Sequence, residues 1–402
     1  MENYYVPAFL KDRMFNFKRD IVESRKNGKP LVLGKKITNN SVLLNSCDYL
    51  SISGHPEIID AQTKALKESA STVIMSAIFL HEDSAQCKFE QEMASFFGYE
   101  SSVLCQSGWA ANVGLIQSIS SKDIPVYIDF IAHMSLWEGI RSAGAVAKPF
   151  LHNDFEHLEQ LIQKYGEGVI VVDSVYSTNG DVCPLKEVAF LAEKYGCLLV
   201  VDESHSLGTH GPNGRGLVAE LGLTEKVHFI TASLAKAFAG RAGIVLCSKQ
   251  FSDYFPYVSF SAIFSSSMLP YEIAGLSKTL EIIEKSDNRR KRLFENSEYL
   301  RTRLDEMGYD VSPGSSQIIS LESGSDSATE VLRDALEERN IVGSVFCAPA
   351  TPKNKAIMRF AVNCSLTQYD LDMILEVCKE IREEVGMWDW KSTRKKKTKN
   401  AA

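Results

Sequence analysis

Along the chain, short apolar runs of strand length recur between longer stretches with helical periodicity. The runs 103–105, 126–129, 168–173, 197–201, 227–231 and 242–247 are strand-like, and several end abruptly in polar residues. Between them, 84–97, 108–119 and 184–195 read as helices, the first closing at Gly98. This alternation predicts an α/β fold with a large, mainly parallel sheet and helices on both faces. Residues from Met1 to about Asn27 read as an amphipathic helix entered through Pro7, and 42–44 as a short strand. A long helical stretch follows Met268-Leu269-Pro270 and runs to about Met307. Near Gly308 the pattern shifts, with strands expected at 317–321 and 356–362 and helices at 327–339 and 367–385. The expected layout is an N-terminal arm and short strand over 1–45, a large α/β domain over 46–307, a small α+β domain over 308–390, and a basic, disordered tail over 391–402.

The stretch from Leu198 to Arg241 organises the rest. One apolar run ends in Asp202, Glu203, Ser204 and His205; the next ends in Ser233 and then Lys236. In open α/β sheets, ligands sit outside the carboxyl ends of the strands, so neighbouring strands here would bring Asp202, His205 and Lys236 to one crevice. Those side chains suit pyridoxal phosphate. Its aldehyde needs a lysine, its pyridine nitrogen needs a carboxylate to keep it protonated, and the lysine doubles as a proton shuttle. His205 would reach the ring's phenolic oxygen. Two blander readings compete. A lysine in a Ser/Ala-rich loop is often solvated surface, and a strand ending in Asp-Glu also fits a nucleotide hydrolase. The hydrolase requires a G-x-x-x-x-G-K-[ST] loop, which is absent: Gly28-Lys29 precedes Pro30, and Gly34-Lys35 precedes Lys36.

Charge and cysteine content narrow the classes further. The formal net charge is −7, yet the end of the chain from Lys391 to Lys399 carries six Lys or Arg, leaving the remainder near −13. A body that acidic argues against a nucleic-acid groove. Nine cysteines show no C-x-x-C pair or metal spacing, as expected of reduced core residues. With no secretory signal or apolar segment of spanning length, a cytoplasmic protein without membrane insertion is expected.

The motif D-E-S-H-S-x-G, followed by G-x-x-G-R-G and T-x-S-x-x-K, resembles the fold-type I pyridoxal enzymes of the α-oxoamine synthase family. Within it, QSGWAANVG, IDFIAHMSLWEG, DESHSLGTHGPNGRGLVAELGLT and GSVFCAPATPKNKAIMRF are most similar to the α-hydroxyketone autoinducer synthases of bacterial quorum sensing. The likeness extends from about Leu31 to Glu384. It implies a homodimer with shared active sites that condenses a medium- or long-chain acyl-CoA with a small amino acid or S-adenosylmethionine. Coenzyme A is released, and the α-aminoketone product is the precursor of an α-hydroxyketone signal.

The resemblance also assigns residues. Lys236 holds the cofactor and moves the substrate's α-proton, Asp202 faces the pyridine nitrogen, and His133 stacks on the ring. Ser107, Gly108 and Trp109 open a helix that seats the phosphate, a reading the strand–turn–helix pattern supports independently. Ser177 and Ser233 lie near the cofactor, and Ser266 reaches the partner's phosphate, although serines just before Pro270 also suit helix capping. Arg359 grips the substrate carboxylate through two parallel donors. The N-terminal arm helps build the dimer; a helix packed on its own domain is the alternative.

Two departures from the family concern the substrate. Cys47 stands where relatives carry the Asn of N-D-Y-L, and a thiol lacks the amide's paired donor and acceptor. The run 73–80 replaces a glycine-rich stretch with bulkier residues, consistent with an acyl tunnel or with plain core. His152 and His157 are expected on a loop and a helix surface, without a role. Aminotransferase or lyase chemistry on the same fold, or a non-catalytic partner, are the competing functions.

Overall fold

The computed structural model describes residues 5–26, 28–68, 75–311, 314 and 316–391. The beginning of the expected arm, positions 73–74 of the bulky run and the tail from 392 lie outside the described residues. The strands are β1 (Val42–Leu43), β2 (Ser101–Cys105), β3 (Pro125–Asp129), β4 (Val146–Phe150), β5 (Val169–Asp173), β6 (Leu198–Asp202), β7 (Phe229–Ser233), β8 (Gly243–Cys247), β9 (Ile318–Gly324), β10 (Ile341–Val342), β11 (Ser344–Phe346) and β12 (Ala356–Ala361).

Seven strands form one sheet in the order β2-β8-β7-β6-β5-β3-β4. Only β8 runs against its neighbours. Every residue of β5 is buried, as expected for a strand covered on both faces. The apolar runs 168–173 and 197–201 thus pair side by side, with Asp173 directly opposite Asp202. Strand β4 was not legible because Pro149 breaks its pattern. The strand occupies the sheet edge, where one missing N–H is tolerated.

A second, three-stranded sheet has the order β11-β12-β9, and β1 pairs in parallel with β10. The expected continuous helix to Met307 is two helices, Pro270–Glu284 and Asp287–Glu306. At the break, the Ser286 hydroxyl donates to the Ile282 carbonyl at 2.6 Å. Helix Ala8–Phe17 buries none of its residues, so it does not pack into the body of its own subunit. Arg25, just beyond it, pairs with Asp326 at 2.5 Å.

Glu203, the residue after β6, is fully buried, and its carboxyl accepts the Val218 N–H at 2.7 Å. The chain closes over it at Gly216, which has φ of 96° and whose Cβ, if present, would collide with the Glu203 carboxyl. Burial pushes the carboxyl from 4.5 up to about 8. The folded protein therefore retains a proton that the unfolded chain releases near 4.5, so this group's contribution to stability falls as pH rises between those values. Glu203→Gln is expected to flatten the decline of thermal midpoint with pH across this window. Parallel midpoint-versus-pH curves for variant and parent would refute the assignment.

Candidate functional site

The carboxyl ends of β3, β5, β6 and β7 open into a cavity of about 580 Å³. Its lining includes Gly108, Trp109, His133, Asp173, Ser177, Asp202, His205, Ser233, Lys236 and Arg359. Ten of the twelve residues singled out from the sequence are therefore at this cavity or touch one of its side chains. Ser107 caps helix Gly108–Ile119, its hydroxyl accepting the Ala110 N–H at 3.1 Å. Ser266 is exposed, bridges to Ser76, and offers its carbonyl to Gln106. Neither serine lines this cavity.

Asp202 sits at the end of β6, where its two carboxylate oxygens take different donors. Oδ1 accepts the Ser204 N–H at 2.8 Å, and Oδ2 accepts the Asn112 amide at 2.6 Å. Lys236 lies in the loop between β7 and β8, closed by the Gly240 N–H to the Leu234 carbonyl at 3.0 Å. Among the described residues its amine has no hydrogen-bond or ion-pair partner, so it is available to a ligand.

His133 precedes helix Met134–Ser142 and caps it, with ring Nδ1 2.7 Å from the Ser135 hydroxyl. Removal from water and the charge of Lys236 outweigh the pull of Asp202 and lower its pKa. The Trp109 ring meets it edge-on at 6.3 Å. His205 is buried, and its Nδ1 lies 2.7 Å from the Tyr49 hydroxyl. Burial first, then Lys236 and Arg359, press its pKa well below the usual histidine range, so the ring is neutral.

Arg359 stands on β12 and reaches across to the large sheet's cavity. It donates to the Ser177 carbonyl at 2.8 Å, lies 3.6 Å from the Cys47 sulfur, and stacks 4.4 Å from the Phe346 ring centre. Its Nε is buried without a partner, leaving a guanidinium edge for an anion. Cys47 thus does approach the residue expected to bind the carboxylate.

Four features were not read from the sequence. Asn112 is buried beside Asp202; a polar residue within the apolar first turns of helix 108–119 was the available signal. Asp173 lines the cavity, and burial followed by the Asp202 charge pushes its carboxyl well up. Tyr49 fixes His205.

The fourth is His152, which lies in a turn, as expected, but whose half-buried ring joins two buried carboxylates. Its Nδ1 lies 3.1 Å from Asp129 and its Nε2 3.0 Å from Asp181. Burial opposes its charge, but these hydrogen bonds prevail and raise it to about 9. Asp129 also accepts the Ile131 N–H, which pins the loop leading to His133. The signal lay in residues 23 and 29 positions away, which local spacing does not join.

Residues 39–377 match the family described as aminotransferase class I and II. The chain is 52% identical over 375 residues to the CAI-1 autoinducer synthase of Vibrio campbellii, covering 93% of this chain and 95% of that protein. It is 30% identical to the 8-amino-7-oxononanoate synthase of Coprothermobacter proteolyticus, over 95% of this chain and 99% of that one. Among solved structures, a PLP-bound serine palmitoyltransferase of S. paucimobilis superposes with a TM-score of 0.87 at 23% identity. That match covers 95% of this chain and 100% of the other, and it corroborates the fold.

Proposed function

The chain belongs to the aminotransferase class I and II family, in its α-oxoamine synthase branch. From that premise we propose that it joins a medium- or long-chain acyl-CoA to a small α-amino acid or S-adenosylmethionine, giving the aminoketone precursor of an α-hydroxyketone autoinducer. The observation that carries this reading is the convergence of Lys236, Asp202, His133 and Arg359 on one cavity.

Pyridoxal phosphate is the cofactor of these enzymes, and the residues present fit it. Among the described residues the Lys236 amine is unpaired, and the Asp202 carboxylate is fixed by two donors. Gly108 lets helix Gly108–Ile119 approach closely: a Cβ there would lie 2.6 Å from the Ser233 Cβ. Its first N–H groups, with the helix dipole behind them, suit a phosphate. When bound, the cofactor supplies an electron sink for carbanion chemistry at the substrate's α-carbon.

The chain's own groups then divide the work. Lys236 would carry the cofactor and move the α-proton. Asp202 would hold a proton on the pyridine nitrogen, and Asn112 and Ser204 hold Asp202. His133 would lie on the ring, His205 and Ser177 near its phenolic oxygen, and Ser107, Gly108, Trp109 and Ser233 around the phosphate. Arg359 orients the substrate carboxylate with Cys47 beside it. Trp109, Phe130, Trp137 and Phe346 limit water around the reacting atoms. The new bond joins the α-carbon to the thioester carbonyl carbon, coenzyme A leaves as its thiol, and loss of carbon dioxide gives the aminoketone.

The active form on this reading is a homodimer with shared sites, in which Ser266 serves the partner's phosphate. Exposed Phe9, Phe15, Trp109, Phe260 and Phe264 support a second copy as the covering surface.

The test crosses acyl-CoAs of graded length with glycine, alanine, serine, 2-aminobutyrate and S-adenosylmethionine, reading thiol release. Release is expected only when both substrates are present. No release from any pair, with pyridoxal phosphate bound, would favour an aminotransferase or lyase.

A further inference from the structure

Helix Gly108–Ile119 and helix Met134–Ser142 meet at the cavity through two polar side chains, Asn112 and Ser135. Asn112 is 2% exposed, and Ser135 is fully buried. The Asn112 amide nitrogen lies 2.6 Å from Asp202 Oδ2 and 2.8 Å from Ser135 Oγ. Ser135 Oγ in turn lies 2.7 Å from His133 Nδ1. The connection runs from the carboxylate on one strand to the imidazole on another element, and it has a direction.

Chemistry fixes that direction. A carboxylate only accepts, so the amide of Asn112 must turn its NH2 toward Asp202; the reverse orientation would set oxygen against oxygen. The second amide hydrogen then goes to Ser135 Oγ. That hydroxyl, already accepting, has its own hydrogen to give, and His133 Nδ1 is the acceptor within reach. The Ser135 backbone N–H also points at Nδ1, at 3.3 Å. Two donors therefore address Nδ1, which must carry the lone pair.

We infer that Asn112 and Ser135 are positioning residues that hold His133 as a neutral ring with its proton on Nε2, so that it meets substrate as a hydrogen-bond donor. The inference rests on the cavity being the reaction site proposed above. Protonating Nδ1 would turn a donor against the Ser135 N–H and place positive charge at a helix N-terminus, both unfavourable. The charged and titratable groups around the ring are Asp202, which favours a cation, Lys236, which opposes it, His205, and Asp173, which accepts the His133 backbone N–H. His133 thus offers an oxygen of the bound substrate an N–H without having to gain a proton first. The developing oxyanion of a thioester carbonyl or a carboxylate oxygen is the chemical class such a donor serves.

The experiment is long-range 1H–15N NMR on the cofactor-loaded full chain with 15N-histidine, the His133 signals being assigned by their loss in His133→Asn. The parent protein is expected to show a protonated Nε2 and a bare Nδ1, with titration below the ordinary histidine range. In Ser135→Ala, the Nδ1–H form is expected to become populated and the midpoint to rise by roughly 0.5–1 pH unit, the shift one neutral hydrogen bond supports. A protonated Nδ1 in the parent would overturn the inference whether or not the variant folds. An unchanged tautomer and midpoint in folded Ser135→Ala would overturn the role of Ser135. Neither reading depends on turnover, so failure of the acyl-transfer assignment would show separately, in the thiol assay.

Discussion

Lys236→Ala is expected to lower two-substrate thiol release by ~10³-fold or more, because one side chain both carries the cofactor and moves the α-proton. The effect should be chemical rather than structural. The amine makes no hydrogen bond or ion pair among the described residues, so truncation leaves no buried partner unsatisfied. The loop that carries it is closed by backbone bonds, from the Ala239 N–H to the Lys236 carbonyl and from the Gly240 N–H to the Leu234 carbonyl. These do not involve the side chain. Far-UV circular dichroism and the thermal midpoint of the cofactor-free proteins should therefore coincide. The visible absorbance of covalently held cofactor should be lost on dialysis from the variant and kept by the parent. Turnover equal to the parent's would remove Lys236 from the mechanism.

That lysine was legible because it follows a strand whose apolar run stops abruptly, and the same break located Asp202 and His205. Burial on both faces writes itself locally: β5 is apolar at every position before Asp173, and β6 is apolar until Asp202. What the chain does not write locally is which strands become neighbours. The order β2-β8-β7-β6-β5-β3-β4 departs from chain order, and it alone sets Asp173 opposite Asp202.

The same limit explains Asn112 and His152, whose partners are fixed by packing between distant elements. Edge strand β4 failed for a different reason. A proline is a strong breaker in a paired interior strand, but costs little where its side faces no ladder. The helix break at Ser286 falls in a stretch with neither Gly nor Pro, so the chain carries no local breaker that marks it. The arm illustrates the remaining case: its amphipathic pattern left open whether it packs on its own domain, and within one subunit Phe9, Phe15 and Phe17 face outward.

Asp202→Asn carries the second large expected effect, a fall of ~10²–10³-fold in kcat, equivalent to about 3–4 kcal/mol of lost electrostatic stabilisation. The substitution preserves size and shape and changes what the site can hold. In the parent, two oxygens accept from the Ser204 N–H and the Asn112 amide, and the negative charge remains to hold a proton on the cofactor's pyridine nitrogen. In Asp202→Asn the charge is gone and only one oxygen accepts. The new NH2 must face either the Ser204 N–H or the Asn112 amide, donor against donor, in a pocket where the parent residue is 5% exposed. Turning Asn112 over would relieve that clash but make Ser135 the donor to its amide oxygen, so the hydroxyl hydrogen would be drawn away from His133. The dependence of rate on acyl-CoA concentration should change little, since the carboxylate acts on the carbanion step and not on thioester binding. Steady-state kinetics with each substrate varied in turn would separate these effects. A variant with the parent's kcat would mean that the carboxylate at the end of β6 serves the fold alone.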